Sequence, residues 1–343
     1  MLIWHCYHRL YFHSGSPGFG RWPELSEQLG EYGGLFHLLL GLAMVPMVKQ
    51  VHAGLEVEEA VTSDTCMEVR GFNENHEVGR DGCPGILTEQ MSWLRNYVDG
   101  NLFRVGRFEY WLKPLPMSVR AFRHRQNGTI VVLMPPATHF NQEGFVVIDP
   151  RAASWTSTLT ETESGVTGYP VDPRGMVRNR PVTLLTTEWA SELQPGDHVL
   201  DMHIPPGGGM TPAACRDSFT RAFEFYATTF PGRHAKAIFS ASWIFNTQFE
   251  QRLPDSNLAA LMREIYLFPV RSGDQDGMSF VFCRDYDDWS RAPRRTRLQR
   301  AMIDIHTSGE GLRSGGMLFF REHISRFGCC HYRNQLPVLG VFK

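Results

Sequence analysis

The residues HVLDMHI (198–204), PPGGG (205–209) and MTPAACRDSF (210–219) decide how this chain is read. In the first of these, Leu200, Met202 and Ile204 alternate with Asp201 and His203, the period-2 signature of a strand. Three consecutive glycines then release the backbone from Cβ constraints. Thr211 and Pro212 open a helix, as N-cap and first helical residue, that runs to about Phe230 and is closed by Pro231-Gly232. A glycine turn between a strand end and a helix start turns free N–H groups and the positive helix terminus toward one point, which suits a phosphate or pyrophosphate. It is neither a Walker A loop, since no Gly-Lys-Ser/Thr follows, nor GxGxxG. A plain flexible connection is the alternative.

Downstream, Ala235–Phe245 is an apolar strand and Asn257–Glu264 a helix. Ile265–Val270 and Met278–Arg284 read as two strands joined by SGDQDG, before a helix at Arg297–Thr307 and a strand at Met317–Phe320. Upstream, the first hundred residues read as helical: Leu35–Val51 as a buried helix broken near Pro46, then Glu56–Arg70 and Ile86–Val98 as amphipathic helices. LFRVGRFEYWL (102–112) is strand-like. Val119–Arg125 and Thr129–Met134 flank Gln126-Asn127-Gly128, a hairpin signal, so this region predicts an antiparallel meander. Residues 135–180, rich in Pro, Ser and Thr, form the best candidate boundary. The organisation expected is a helical portion with its meander over 1–150, a connection over 151–180, an α/β (α+β) unit over 181–322 and a tail over 323–343.

Composition narrows the functional classes. A length of 343 residues with 42% hydrophobic and 20% charged residues excludes wholesale disorder and fits two domains or one large one. Lys and Arg total 34 against 36 Asp and Glu, so the chain lacks the basic excess of a dedicated nucleic-acid binder. Seven cysteines without a CxxC pair offer neither a zinc ribbon nor a thioredoxin motif, and a reducing, cytoplasmic setting is the simplest reading. The apolar run 35–48, interrupted by His37 and Pro46, falls short of the roughly 18 residues of a membrane span. The opening MLIWHCYHRLYFH does not resemble a signal peptide.

Asp201 and His203, two apart on one strand face beside the glycine loop, could form a carboxylate-oriented general base, or His203 could be a structural histidine. Ser240, Ser242 and Trp243 end the next strand, where they could line an acyl channel or simply pack. In LPDSN (253–257), Asp255, Ser256 and Asn257 compete to cap a helix, and Asn257 could also touch a ligand. The arginines between 291 and 300 form a solvated run from which one could hold a distal phosphate. His5, Cys6, His8 and His13 match no metal-site spacing, and no metal is expected. There is no Gly-x-Ser-x-Gly elbow.

Residues 180–320 resemble the GNAT-like C-terminal domain of a family of bacterial N-acyltransferases and acyltransferase-domain proteins. The likeness is carried by HIPPGGGMTPAACRDSF (203–219), EFYATTFPG (224–232), SASWIF (240–245), LPDSNL (253–258) and TRLQRAMIDIHTSGE (296–310). The helical partner domain is matched by LFHLLLGLAMVPMV (35–48), SWLRNYVDGNLFRVGRFEY (92–110) and VDPRG (171–175). The resemblance implies a mixed sheet flanked by helices, in which two neighbouring strands splay apart and acyl-CoA enters the gap. Two departures stand out: Ser240 replaces an expected cysteine, and Pro-Pro-Gly-Gly-Gly replaces a basic residue followed by Gly-x-Gly.

The reading is therefore a GNAT-like acyltransferase moving an acyl group from acyl-CoA to an amine by direct attack. His203 and Asp201 are its catalytic candidates. Gly207, Gly208, Gly209, Met210, Thr211, Ser242, Trp243 and Asn257 are expected at the coenzyme A donor. The acceptor would be a small-molecule or peptide amine. The rivals are a non-catalytic acyl- or nucleotide-binding module, expected if Asp201 and His203 are buried and paired internally, and a tailoring enzyme fed by an acyl carrier protein.

Overall fold

The structure is a computed structural model that describes residues 2–12 and 25–335. Its centre is a mixed six-stranded sheet of β1 (Leu102–Val105), β2 (Phe108–Pro114), β3 (His198–His203), β4 (Ala237–Ser242), β5 (Tyr266–Pro269) and β6 (Gly315–Phe320), in the order β1-β2-β3-β4-β6-β5. Every pairing is antiparallel except β3–β4, which is parallel and joined by the crossover helix Pro212–Thr229. This is the mixed, helix-flanked α/β sheet that the resemblance implies.

The parallel pair is only half closed. Its register runs Val199↔Ala237, Leu200↔Ile238 and Asp201↔Phe239 and stops there. On its outer side β3 stays paired to the end, His203↔Glu109, and β4 stays paired with β6 to Ser242↔Gly315. The sheet is therefore forked between β3 and β4, with its apex at Asp201 and Phe239.

Alternation assigns the two faces different tasks. Phe103, Phe108, Tyr110, Leu112, Leu200 and Met202 form one face, covered by the Pro212–Thr229 helix through Phe219 and Tyr226. The other face carries Leu102, Arg104, Glu109, Trp111, Lys113, Asp201 and His203. It lies under the N-terminal helices, whose own core includes Leu40, Met44, Val48, Val69, Leu94 and Tyr97.

The sheet takes β1 and β2 from one side of the expected 151–180 boundary and β3–β6 from the other. The meander expected at 102–134 divides. LFRVGRFEYWL folds back at Gly106-Arg107 as a hairpin of the main sheet, while Arg120–His124 and Ile130–Leu133 form a second hairpin in a separate sheet with Trp189–Leu193. Residues 115–197 are thus an excursion between two adjacent strands, and its ends meet where Leu115 N–H donates to the Asp197 carbonyl at 2.8 Å. Part of it has its own small core, Phe122, Val131, Leu133, Val166, Leu184 and Trp189.

The helix Pro212–Thr229, with Thr211 as cap, Asn257–Glu264 and Arg297–Thr307 form where expected. Met278–Phe282 is a helix instead of a strand. Gly277 at φ +87 lies against the Trp243 ring and turns the chain into it. A short apolar run such as MSFVF satisfies either period, so tertiary contact decides. Ile86–Val98 tightens to 3₁₀ turns at Thr88–Leu94 before one α-turn. The Leu35–Val51 helix breaks at Ala43, with Pro46 tolerated in the first turn of the second half. It is not wholly buried, since Leu35, Leu39 and Leu42 are exposed. The helical run Gly30–Gly54 is long and apolar enough to cross a membrane, which the apolar count over 35–48 alone did not indicate.

Candidate active site

The glycine loop takes the conformation its residues permit. Gly207 and Gly208 have φ of +74° and +57°, a left-handed pair that other residues adopt only with strain. Thr211 Oγ1 accepts from Ala214 N–H at 3.3 Å and starts the helix, so the loop and the helix terminus form one unit. Two other elements close around it. Gly71, on the Glu68–Gly79 helix, allows close approach: a Cβ there would stand 2.8 Å from Pro206 Cγ. Asn257 begins the Asn257–Glu264 helix, with Ser256 as the cap that won among the three candidates, and its Nδ2 lies 3.7 Å from where a Gly209 Cβ would be. A cavity of about 390 Å³ opens between Gly207, Gly208, Arg104, Glu68 and Glu74.

The polar sheet face continues from this loop to the fork. Asp201 is buried and ion-paired with Lys113, whose ammonium also lies 4.8 Å from the centre of the Trp111 ring. Burial alone would raise the Asp201 carboxyl, but His203 and Lys113 outweigh it and hold the group below the usual aspartate range. His203 Nε2 is shielded from solvent and stands 3.4 Å from Asp201 Oδ2, within ion-pair range but without a hydrogen bond of good geometry. The ring packs edge-on to Trp93 at 4.8 Å. Its side chain is 30% exposed, so the open edge of the ring is the one away from Nε2. Asp201 is thus paired with Lys113 and, more loosely, with His203, whose ring keeps an open edge.

Beside this pair lies a group that the sequence reading did not single out. Glu109 is directly opposite His203 in the register and also opposite Arg104 on β1. It is buried, and its Oε1 accepts from the Tyr97 hydroxyl at 2.5 Å. Burial, reinforced by nearby Glu68, pushes its carboxyl up to about 8 against the opposing pull of Tyr97, Arg104 and Arg107. Glu68 is ion-paired with Arg104. The available sequence signal was a charge within each apolar strand run, Arg104 in LFRV and Glu109 in FEYWL; folding at Gly106 places them side by side.

The remaining expected residues have contacts of their own. Ser242 Oγ accepts from Ile244 N–H at 3.4 Å as the cap of a short turn. Trp243 stacks on Phe280 at 6.3 Å beyond the end of β4, and Ser240 is buried. Met210 is partly buried against the main core. In the arginine run, Arg294 pairs with Asp304 at 2.6 Å and Arg291 with Asp288 at 3.4 Å. Cys6 is buried on the first helix, and His13 lies outside the described residues. No group of three or more metal-ligating side chains occurs among the described residues.

The fold is shared with solved acyltransferases. One, in complex with decanoyl-CoA and teicoplanin, aligns with a TM-score of 0.59 at 20% identity over 93% of this chain and 77% of its own. Another, in complex with CoA and 10C-teicoplanin, aligns with the same score at 19% identity over the same shares of both chains. No curated protein matches the sequence. The GNAT-like C-terminal domain profile matches residues 102–318, a span that takes in β1, β2, the excursion and nearly all of the remaining sheet. The chain belongs to the family that carries this GNAT-like C-terminal domain.

Proposed function

We propose that this protein transfers an acyl group from acyl-CoA to an amine, by direct attack within a ternary complex. The observation that carries the reading is the fork: β3 and β4 part at Asp201 and Phe239, immediately before a left-handed glycine loop at a helix N-terminus. The loop Gly207–Gly209, Met210 and Thr211, with Asn257 beside it, takes the donor's pyrophosphate. The thioester lies in the fork, where a freed strand N–H can stabilise the oxyanion. The neutral amine attacks the carbonyl carbon, the C–N bond forms and the C–S bond breaks. The ammonium proton passes to His203, directly or through a water, and coenzyme A leaves as its thiolate. Asp201, shared between Lys113 and His203, fixes the electrostatics of that proton transfer. Ser242 and Trp243 would then belong to the wall beyond β4.

Covalent catalysis is disfavoured by the available nucleophiles. Ser240 is buried, Ser242 caps a turn, and burial pushes the Cys215 thiol up to about 12. The acceptor is a small-molecule amine, the class to which the fold neighbour's teicoplanin complex points. A cytoplasmic location belongs to the same proposal and agrees with seven free cysteines. Intact-mass measurement after incubation with acyl-CoA alone tests the mechanism: unmodified protein is expected, and an acyl adduct that chases into amide product would overturn it.

A further inference from the structure

The tip of the β1–β2 hairpin places Arg107 beneath the glycine loop. Its Nη1 donates to the Pro205 carbonyl at 3.1 Å, and its Cδ and Nε both lie 3.8 Å from where a Gly208 Cβ would be. Nε is shielded from solvent and has no partner. The guanidinium also lies close to Cys215, in the first turn of the Pro212–Thr229 helix, and to the Phe108 ring at 5.5 Å. It makes no ion pair among the described residues.

The acids around it are already committed. Glu68 is paired with Arg104 and Glu74 with Arg70 at 2.9 Å. Glu109, with a carboxyl pushed up to about 8, is largely uncharged at neutral pH. Burial and the repulsion of Arg104 disfavour the Arg107 charge and outweigh the opposing pull of Glu68 and Glu109. A half-buried cation whose Nε is shielded and which makes no ion pair is unfavourable unless an anion completes it. The unit above it, two left-handed glycines and a helix N-terminus, favours an anion for independent reasons. The loop PPGGG carries no cation of its own.

We infer that Arg107 is the missing cation of the donor site: it holds the loop through Pro205 and is the counter-charge for the pyrophosphate of coenzyme A. The assignment rests on the acyl-CoA reading above and adds the residue that selects a pyrophosphate-bearing donor. Arg107 acts through the loop as well as through its charge, and the two roles separate by ligand.

The test is calorimetric titration of the full chain with CoA and 3′-dephospho-CoA, and ligand-observed NMR with pantetheine, which ends before the pyrophosphate. Arg107→Gln is expected to weaken CoA and dephospho-CoA by the same factor, about 10- to 100-fold for one charge-assisted contact, and to leave pantetheine unchanged. If the glutamine variant does not fold, Arg107→Lys, which keeps the charge and loses the planar fork, is expected to show a smaller loss, again equal for both nucleotides. Unchanged nucleotide affinity overturns the inference. So does a loss confined to CoA, which would place Arg107 at the 3′-phosphate, or an equal loss for pantetheine, which would mean a distorted site. If the wild type binds neither nucleotide, the acyl-CoA reading itself fails; if it binds both and the variants match it, only the Arg107 assignment fails.

Discussion

Replacing Glu109 with glutamine should change how stability depends on pH. The folded carboxyl, pushed from an ordinary value near 4.5 to about 8, keeps its proton across a range where the unfolded chain has lost it. The folded state therefore binds more protons there, and stability must fall as pH rises from about 4.5 to about 8. A single group fully out of step contributes about 1.4 kcal/mol per pH unit. Shared titration with Glu68 makes that slope a ceiling. Glutamine keeps the shape and can still accept the Tyr97 hydroxyl, but has no proton to lose. Urea unfolding of both proteins at pH 5, 6, 7 and 8 would measure the effect. The Glu109→Gln variant should gain steadily on the wild type across the series and be closest to it at pH 5. Parallel curves, or a gap that narrows as pH rises, would refute the assignment of a neutral buried carboxyl.

Two further substitutions address the donor loop and the base. Gly208→Val puts a β-branched residue at φ +57, so calorimetry should show CoA binding lost, with roughly 1–2 kcal/mol or more of strain lowering the melting temperature by several degrees. Retained affinity would remove the loop from the donor site. His203→Gln should lower turnover by about 10²-fold while CoA affinity stays near wild type, and unchanged turnover would reassign the proton to water or another group.

The strand–loop–helix core of the site was legible because its signals are local. Alternation in HVLDMHI, the glycines, and the Thr211–Pro212 pair each constrain the backbone where they stand, and the structure follows them nearly residue for residue. Asp201 and His203 on one face followed from the same alternation. What was not legible depends on contacts between distant segments. Glu109 acquires its environment from Tyr97 and Glu68 on the helices and from Arg104 across the hairpin, none of which a strand pattern reveals. The fork exists only in the register of β3 against β4. Lys113 reaches Asp201 because β2 and β3, separated by the long excursion, become neighbours. Met278–Phe282 becomes a helix because Gly277 abuts Trp243, a contact between segments more than thirty residues apart in sequence.

The hydrogen bond between Leu115 and Asp197 has a topological consequence. β2 and β3 are joined as if by a hairpin turn, so everything between them is a detour that begins and ends at nearly the same point. Such a detour can drift in sequence, lengthen or be exchanged with little demand on the geometry of Lys113 and Asp201, provided its entrance and exit stay together and the main core keeps residues such as Val119 and Ile130. Within this architecture, the fork depends on residues 115–197 through their joined ends and through the side chains they lend to the main core, among them Phe140, Val171 and Leu193.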